Sequence, residues 1–210
     1  MPHPERWRDT CDPFALPYRT FQPTEILGYP HAGNDVFHAR GCYLGAPVTA
    51  YIKVARQRSA DLGNEMRLLR QLNAPCFPTV LDGDEERGSF SVTAELPGNR
   101  LSVILGEHHT STALPYMEAY GEALAKIHRM RPVAAPQKER RFHHPPSEEQ
   151  LAALGLTRLA TFFADRPRGG RTVFCHGDFH YANVLWTAQC PSAILDFELA
   201  GWGDRDFDIA

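Results

Sequence analysis

The sequence lacks a long hydrophobic run and a large excess of charge of either sign. No apolar run approaches the roughly 18–20 residues that a membrane-spanning helix needs, and the first ten residues have no apolar stretch typical of a signal peptide. The 22 Lys and Arg residues nearly balance the 25 Asp and Glu residues, for a formal net charge of -3. This balance argues against a protein that binds nucleic acid by neutralising phosphates. We therefore expect neither a membrane nor a nucleic-acid partner.

Cysteine pairs are also lacking. The five cysteines are odd in number and no two stand in a C-x-x-C pair, so the sequence predicts neither a zinc site of that type nor a disulfide framework. A reducing cytoplasm is the predicted location.

The chain does contain enough hydrophobic residues for a core, since 43% of its 210 residues are hydrophobic and 22% are charged. This composition is typical of a folded domain, and the length allows one large domain or two lobes of about 100 residues.

The first half of the chain has the composition of β-strands. Segments 35–40 and 48–54 are rich in β-branched and aromatic residues and flank a turn-rich connector, so they predict a hairpin. Two further strands are predicted at 79–82 and 90–94, on either side of an acidic turn. Between the hairpin and these strands we predict a helix with Ser59 as its N-cap. Its apolar face would consist of Leu62, Met66, Leu69 and Leu72.

Helical patterns dominate after Pro97-Gly98, which we interpret as a hinge. A helix is predicted over 116–130, and the proline-rich, basic segment 131–146 is predicted to be an exposed loop. The apolar face of the helix at 116–130 would consist of Met117, Tyr120, Leu124 and Ile127. A strand-rich half followed by a helix-rich half predicts an α+β protein with two lobes.

A second helical region is predicted to begin with the capping box of Ser147 and Gln150. Its apolar face would consist of Leu151, Leu154, Leu159, Phe162 and Phe163, with Gly155 dividing the region into two shorter helices. Three short strands are predicted near the end, at 172–175, 182–186 and 193–195.

Oxygen-bearing side chains are concentrated in the last 40 residues. Asp178, Asn183 and Asp196 each lie just outside a short apolar strand, where a rigid edge can present a side chain. Carboxylate and amide oxygens suit Mg²⁺, which takes phosphate oxygens as further ligands. Because Asp178 precedes Asn183 by five residues, one loop can hold a base and a metal ligand side by side. Asp196 would then supply the second metal ligand from the next strand.

Three motifs in this region resemble those of the aminoglycoside phosphotransferase and choline kinase superfamily, relatives of the protein kinases. The pattern H-G-D with Asn five residues after the Asp corresponds to His176-Gly177-Asp178 and Asn183. The pattern I-[IL]-D-[FW]-E corresponds to residues 194–198, and G-D-x-x-x-D-[LI]-A corresponds to residues 203–210. Their order and spacing make the resemblance specific, and it extends over residues 25–210.

The resemblance implies a two-lobed, protein-kinase-like fold. Residues 1–94 would form an N-terminal nucleotide-binding lobe built on an antiparallel sheet, residues 95–99 a hinge, and residues 100–210 a mainly helical catalytic lobe. In relatives, further helices follow the last motif and close the acceptor side of the cleft. This sequence does not contain them, so we expect a C-terminal lobe that is truncated relative to the family.

The nucleotide-binding residues follow from the same resemblance. Lys53, in the strand Tyr51-Ile-Lys-Val54, would neutralise the α- and β-phosphates, and a glutamate on the next helix would hold it. Glu65 is the best partner, with Asp61 as the alternative. Gly33 would lie in the loop over the phosphates, although an ordinary hairpin turn is an alternative interpretation. Glu95 and Leu96 would bind the adenine through their backbone groups.

The resemblance also implies the reaction. Asp178 would orient and deprotonate the acceptor hydroxyl, while Asn183 and Asp196 would hold Mg²⁺ against the phosphates of ATP or GTP. His176 and Asp208 would brace the catalytic loop. The acceptor would be an aminoglycoside-like or other small molecule, and the acidic end of the chain suggests a cationic one. The alternative is a non-catalytic or impaired nucleotide-binding homologue.

Two metal-binding alternatives remain open in the sequence. The run His176-Gly-Asp-Phe-His180 matches H-x-D-x-H, a pattern in which alternating ligands can bind zinc. It leaves Asn183, Asp196 and Lys53 without a role, so we favour the kinase interpretation. The histidine pairs at 108–109 and 143–144 could also bind metal, but their polar, loop-like surroundings favour solvent exposure.

Overall fold

The computed structural model describes residues 11–30, 33–56, 61–106, 113–138, 146–160 and 171–209. An antiparallel five-stranded sheet forms the first lobe, in the order β1-β2-β3-β5-β4. Its strands are β1 (Phe21–Gly28), β2 (Asp35–Tyr43), β3 (Ala46–Val54), β4 (Val80–Gly83) and β5 (Phe90–Ala94). The predicted hairpin is confirmed as β2 and β3, which pair from Asp35 with Val54 to Tyr43 with Ala46. The two predicted strands that follow are confirmed as β4 and β5.

A tight turn and a helix complete this lobe. Leu44 and Gly45 join β2 to β3 with φ values of 50° and 86°, as a two-residue turn with the twist of the strands requires. Helix α1 (Leu62–Leu72) begins with Asp61, whose carboxylate accepts a hydrogen bond from the Asn64 N–H. The prediction of Ser59 as the N-cap is therefore wrong, and Ser59 itself lies outside the described residues. Asp61 takes that place because its carboxylate reaches a free amide of the first helical turn.

The second lobe combines short helices with two small sheets. Its helices are α2 (Leu101–Leu105), α3 (Leu114–Arg129), α4 (Glu148–Ala153) and α5 (Asp206–Ile209). Its strands are β6 (Asn99–Arg100), β7 (Thr172–Cys175), β8 (Val184–Thr187), β9 (Cys190–Ile194) and β10 (Gly201–Asp204). Strands β6, β8 and β9 form one sheet, and β7 pairs with β10 in another.

Helix α3 differs from its predicted apolar face. It buries Tyr116, Ala123 and Ile127, whereas Met117 is 43% exposed, so its prediction as a core residue is wrong. The other three predicted residues are confirmed, since Ile127 is buried and Tyr120 and Leu124 pack against the same core. Tyr116 takes the place of Met117 by packing edge-on against Trp186, with ring centroids 5.1 Å apart.

Helix α4 confirms the capping box but not the whole apolar face. Ser147 and Gln150 exchange the two predicted hydrogen bonds, and Leu151 is buried. Leu154 and Leu159 are exposed, contrary to the prediction. Gly155, with φ of 68°, ends the helical path here, so the later residues do not continue the same face. Phe162 and Phe163 lie outside the described residues.

The predicted strand at 182–186 begins two residues late. Tyr181–Asn183 form a short 3-10 helix, and β8 begins at Val184. The side chain of His180 caps this helix by accepting a hydrogen bond from the Ala182 N–H at 3.2 Å. Asn183 is consequently held in a tight turn at the start of the strand.

Each lobe has its own core. In the first, residues such as Phe37, Ile52 and Phe90 form a buried cluster. In the second, α1 and α3 pack with the small sheets around Ile127 and Phe197. Within the described ranges, no helix is long and apolar enough to cross a membrane.

Candidate active site

Lys53 lies at the centre of a cluster of acidic side chains. Its Nζ atom is 3.0 Å from Glu65 Oε2 and 3.0 Å from Asp196 Oδ1, and 3.9 Å from Glu198 Oε2. Of the two candidates on α1, Glu65 is thus the partner of Lys53, and Asp61 caps the helix. A strand, a helix and the segment after β9 are joined by one ammonium group.

Glu65 fixes the position of α1 through both of its carboxylate oxygens. While Oε2 contacts Lys53, Oε1 accepts a hydrogen bond from the Phe197 N–H at 3.0 Å. The residue is buried in the middle of these contacts. A buried carboxylate needs this degree of pairing, because an unpaired one would be costly.

Charge pairing also sets the protonation of the cluster. Burial alone would lower the pKa of Lys53, but Glu65 and Asp196 outweigh it and raise the pKa. Burial alone would raise the pKa of Asp196, but the Lys53 ammonium lowers it. For Glu198, burial dominates and the pKa is raised. Lys53 and Asp196 are therefore both charged at neutral pH, as an ion pair.

Asp196 has an unusual backbone conformation. Its φ is 67°, in the left-handed region that few residues other than glycine, Asn and Asp adopt. The residue lies two positions after the end of β9, so the chain turns sharply just beyond the sheet. This turn brings Asp196 to Lys53 and Phe197 to Glu65.

A buried histidine holds the loop after β7 in place. His176 is fully buried, with its Nε2 2.9 Å from the Leu195 carbonyl oxygen and its Nδ1 accepting from the Asp178 N–H at 3.3 Å. Burial lowers the pKa of His176, so the imidazole is neutral. With both ring nitrogens bonded to backbone, His176 braces the loop, as predicted, and has no nitrogen left to ligate zinc.

Asp208 anchors the same loop. Its carboxylate accepts hydrogen bonds from the His176 N–H at 2.8 Å and the Gly177 N–H at 2.7 Å, and lies 3.0 Å from His128 Nε2. Its predicted bracing role is therefore confirmed. His128, Cys175 and Asp208 form a three-residue group of metal-ligand type among the described residues. Because the Asp208 oxygens already accept these bonds, we interpret the group as structural.

Asp178 and Asn183 lie side by side across the loop between β7 and β8. Asn183 Nδ2 donates to the Asp178 carbonyl oxygen at 3.0 Å and to Asp178 Oδ2 at 3.1 Å. The amide nitrogen is thereby committed to the loop, and no described residue donates to Asn183 Oδ1. That oxygen and the Asp196 carboxylate form a hard donor set that fits Mg²⁺.

One cavity of about 660 Å³ lies between the lobes. Every predicted site residue lines it, namely Gly33, Lys53, Glu65, Glu95, Leu96, Asp178, Asn183 and Asp196. Its volume is in the range of small-molecule and cofactor sites. The structure thus brings together residues that lie up to 163 positions apart in the chain (Gly33 and Asp196).

The two predicted hinge residues differ in their backbone groups. The Glu95 N–H already donates to the Thr49 carbonyl oxygen at 3.0 Å, so it is not available to a ligand. No described residue accepts a bond from the Leu96 N–H. The Glu95 side chain lies 3.2 Å from His38 Nε2, and the His38 ring stacks on Tyr51 with centroids 4.7 Å apart.

The cavity residues that were not predicted from the sequence include three with polar side chains next to the predicted ones, namely Asn34, Tyr51 and Glu198. Tyr51 is two residues before Lys53 on β3, so strand alternation puts both on one face, and this signal could have found it. Glu198 is part of a quoted motif, but its place beside Lys53 depends on the turn at Asp196. Asn34 Nδ2 donates to Glu198 Oε2 at 2.8 Å, across 164 positions, and no local pattern predicts that contact.

The acidic stretch near the end lies only partly in the cavity. Asp196 and Glu198 line it, whereas Asp204, Asp206 and Asp208 do not, and Asp204 instead accepts a hydrogen bond from the Asp206 N–H at 3.0 Å. Loop contacts therefore account for Asp204 and Asp208, and only Asp196 and Glu198 of this stretch bear on the predicted attraction of a cationic acceptor. The histidine pairs at 108–109 and 143–144 lie outside the described residues.

The sequence model of the phosphotransferase enzyme family matches residues 32–210. No curated protein matches the chain. Among solved structures, the chain is similar to the macrolide 2'-phosphotransferase MphH from Brachybacterium faecium, as the apoenzyme. The two are 20% identical with a TM-score of 0.57, and the match covers 90% of this chain and 69% of that one.

Two aminoglycoside phosphotransferases are also similar in structure. One is APH(2'')-IIa in a ternary complex with streptomycin and ATP, at 18% identity and a TM-score of 0.58, covering 89% of this chain and 70% of that one. The other is a thermostable mutant of APH(4)-Ia in a ternary complex with ADP and hygromycin B. It is 15% identical with a TM-score of 0.61, and the match covers 90% of this chain and 71% of that one. These likenesses show the two-lobed, kinase-like fold.

Proposed function

The chain belongs to the phosphotransferase enzyme family, and on this premise we propose that it transfers the γ-phosphoryl group of ATP to a hydroxyl group of a small molecule. The main support is that the Lys53–Glu65 pair, the Asp178–Asn183 loop and Asp196 surround a single cavity. Phosphoryl transfer needs positioning and charge neutralisation more than covalent chemistry. This set of side chains is suited to both.

We propose that the nucleotide binds on the side of the cavity formed by the sheet and the hinge. The Leu96 N–H would donate to the adenine, and the Tyr51 ring offers an aromatic surface beside it. Lys53 would neutralise the α- and β-phosphates, and the loop with Gly33 would cover them. Similar structures of other proteins contain ATP or ADP, which favours ATP over GTP for this chain.

Asn183 and Asp196 are the proposed ligands of Mg²⁺. When bound there, the ion would neutralise charge on the phosphate oxygens. Lys53 already contacts Asp196 at 3.0 Å, so it would share this carboxylate with the metal. We expect nucleotide phosphates to draw the ammonium group away and thereby favour metal binding.

Asp178 is the proposed catalytic base. Its side chain is 45% exposed, so a hydroxyl group can reach it from the open side of the cavity. As the acceptor oxygen attacks the γ-phosphorus, Asp178 would orient the hydroxyl and take its proton. The bond to the β,γ-bridging oxygen breaks at the same time, and ADP leaves.

A cationic acceptor, such as an aminoglycoside, is favoured by the charge around the cavity. Its lining includes five carboxylates, Glu65, Glu95, Asp178, Asp196 and Glu198, against the two cations Lys53 and Arg100. A cleft lined mainly by one sign of charge concentrates ligands of the other sign. Structures of similar proteins hold streptomycin and hygromycin B, which agrees with this preference.

We also propose the lobe boundaries stated from the sequence, with residues 1–94 and 100–210 forming the two lobes and residues 95–99 the hinge. A cytoplasmic location remains a prediction.

The test is a transfer assay with the purified chain, Mg²⁺-ATP and a panel of aminoglycosides, amino alcohols and sugars. Mass spectrometry of the acceptors should detect a phosphorylated product with the wild-type chain. The matched control, Asp178→Asn, should bind ATP equally well without forming that product. Nucleotide binding with no product from any acceptor would instead favour a non-catalytic homologue.

A further inference from the structure

We propose that His180 is a positioning residue that holds the Asp178 carboxylate in its reactive orientation, an inference that rests on the proposed kinase function. His180 Nε2 lies 3.5 Å from Asp178 Oδ2. Both residues belong to the loop between β7 and β8. None of the roles assigned above to this loop involves the Nε2 atom of His180.

The tautomer of His180 follows from its other nitrogen. Nδ1 accepts a hydrogen bond from the Ala182 N–H at 3.2 Å. A neutral imidazole carries a single N–H, so the acceptor at Nδ1 places the proton on Nε2. The donor of His180 therefore faces the Asp178 carboxylate.

Two donors then converge on the same oxygen of Asp178. Asn183 Nδ2 donates to Oδ2 at 3.1 Å, and His180 Nε2 approaches it at 3.5 Å. No described residue donates to Oδ1. The geometry assigns Oδ2 to orientation and Oδ1 to the acceptor hydroxyl. The hydroxyl proton moves to Oδ1 while the acceptor oxygen bonds to the γ-phosphorus and ADP departs with the bridging oxygen.

His180 also caps the 3-10 helix Tyr181–Asn183, so alanine would remove two functions together. Two other replacements separate them. His180→Asn keeps an acceptor near the position of Nδ1 and preserves the cap, but it has no group at the position of Nε2. His180→Gln reaches that position with an amide nitrogen but gives up the cap.

Steady-state kinetics and melting temperatures of both variants test the proposal. We expect His180→Asn to keep the wild-type Tm and lose several-fold, up to about tenfold, in kcat, because a polar contact of 3.5 Å to a carboxylate is weaker than a short hydrogen bond to a charged group. Its KM for ATP should stay within about twofold, because His180 is not among the residues lining the cavity. His180→Gln should retain more kcat than His180→Asn despite a lower Tm. Wild-type kcat in His180→Asn, or kcat values that simply follow Tm, would overturn the proposal.

A second measurement does not depend on turnover. Long-range ¹H–¹⁵N spectra of the imidazole should show the Nε2–H tautomer in the wild-type chain, and a change in the Nε2 chemical shift in Asp178→Ala, which removes the carboxylate beside that nitrogen. An Nδ1–H tautomer in the wild type, or a spectrum that Asp178→Ala leaves unchanged, would contradict the role of His180. If the wild-type chain transfers no phosphoryl group, the proposed function fails, and these spectra still decide the His180 contact.

Discussion

The proposed nucleotide side and the proposed acceptor side of the cavity differ in how their charges are held. On the nucleotide side, the side chains of Lys53 and Glu65 are only 18% and 5% exposed and bind one another. On the acceptor side, the side chain of Asp178 is 45% exposed, and its neighbour His180, outside the cavity lining, is 46% exposed. Buried charges must be paired to be tolerated, whereas an exposed carboxylate is hydrated and needs no partner before a substrate binds. One side therefore contributes to folding as well as to function, and the other mainly to function.

The largest expected effect isolates the acceptor side. Asp178→Asn should lower kcat by about 10²–10⁴-fold, because the base is lost, while ATP affinity and Tm change little. Isothermal titration with ATP and a thermal melt, run beside the transfer assay, provide the check. A large drop in Tm would mean that the acceptor side is also a structural element.

A second variant tests the nucleotide side. Lys53→Met leaves Glu65 and Asp196 without their cation, and we expect a loss of about 3 kcal/mol in the free energy of unfolding. ATP affinity should fall together with stability. Urea denaturation and ATP titration measure the two losses. If stability stays at the wild-type value, the contrast between the two sides does not hold.

Asp82, in the first lobe, is a buried carboxylate outside the cavity, and it tests whether burial and pairing alone make a charge important for stability. Burial would raise the pKa of Asp82, but hydrogen bonds from the backbone N–H groups of Phe21, Thr20, Arg19 and Gly83 lower it. The three bonds from Arg19, Thr20 and Phe21, where β1 begins, are 2.7–2.9 Å long. Asp82→Asn should cost about 2 kcal/mol at pH 7 and leave kcat unchanged.

The pH dependence of that loss has a defined sign. Since the pKa of Asp82 is lower in the folded state, its stabilisation is fully present above the ordinary aspartate pKa of about 4. It is lost as the pH falls through the folded-state pKa. Urea melts of wild type and Asp82→Asn should therefore converge at low pH, and a constant difference down to about pH 2 would contradict the assignment.

The smallest effect is expected for an exposed ion pair. Arg40 and Glu25 contact one another on the sheet, with side chains 56% and 55% exposed. Arg40→Met should change stability by less than about 1 kcal/mol and leave ATP affinity unchanged. It matches Lys53→Met in chemistry, since both exchange a cation on the sheet for methionine. A loss as large as that of Lys53→Met would show that burial is not what distinguishes the two pairs.

The sequence predicted side chains in short motifs more completely than contacts between distant segments. Asp178, Asn183 and Asp196 lie in short motifs, because one loop and one strand must present them at fixed spacing. The contact between Asn34 and Glu198 joins distant segments, and only the assembled lobes create it. Similarly, the open N–H of Leu96 and the committed N–H of Glu95 follow from the register of the chain beside Thr49, which side-chain patterns do not encode.

The errors in the fold prediction have local physical causes. Ser59 was a reasonable N-cap by residue type, but the carboxylate of Asp61 reaches the Asn64 N–H instead. Met117 fits a helical stripe, yet the helix turns Tyr116 inwards to meet Trp186. In both cases several registers satisfy the pattern, and tertiary packing selects one of them.

The left-handed backbone at Asp196 has a consequence for how this site can evolve. Two independent constraints apply to residue 196. It must supply an oxygen ligand, and it must tolerate a backbone φ of 67°. Glutamate keeps the charge but is poorly suited to the turn, whereas glycine suits the turn but lacks the oxygen. Asparagine alone meets the backbone constraint while keeping an oxygen. Natural variation at residue 196 should therefore be confined to aspartate, with asparagine as the neighbouring step in sequence space.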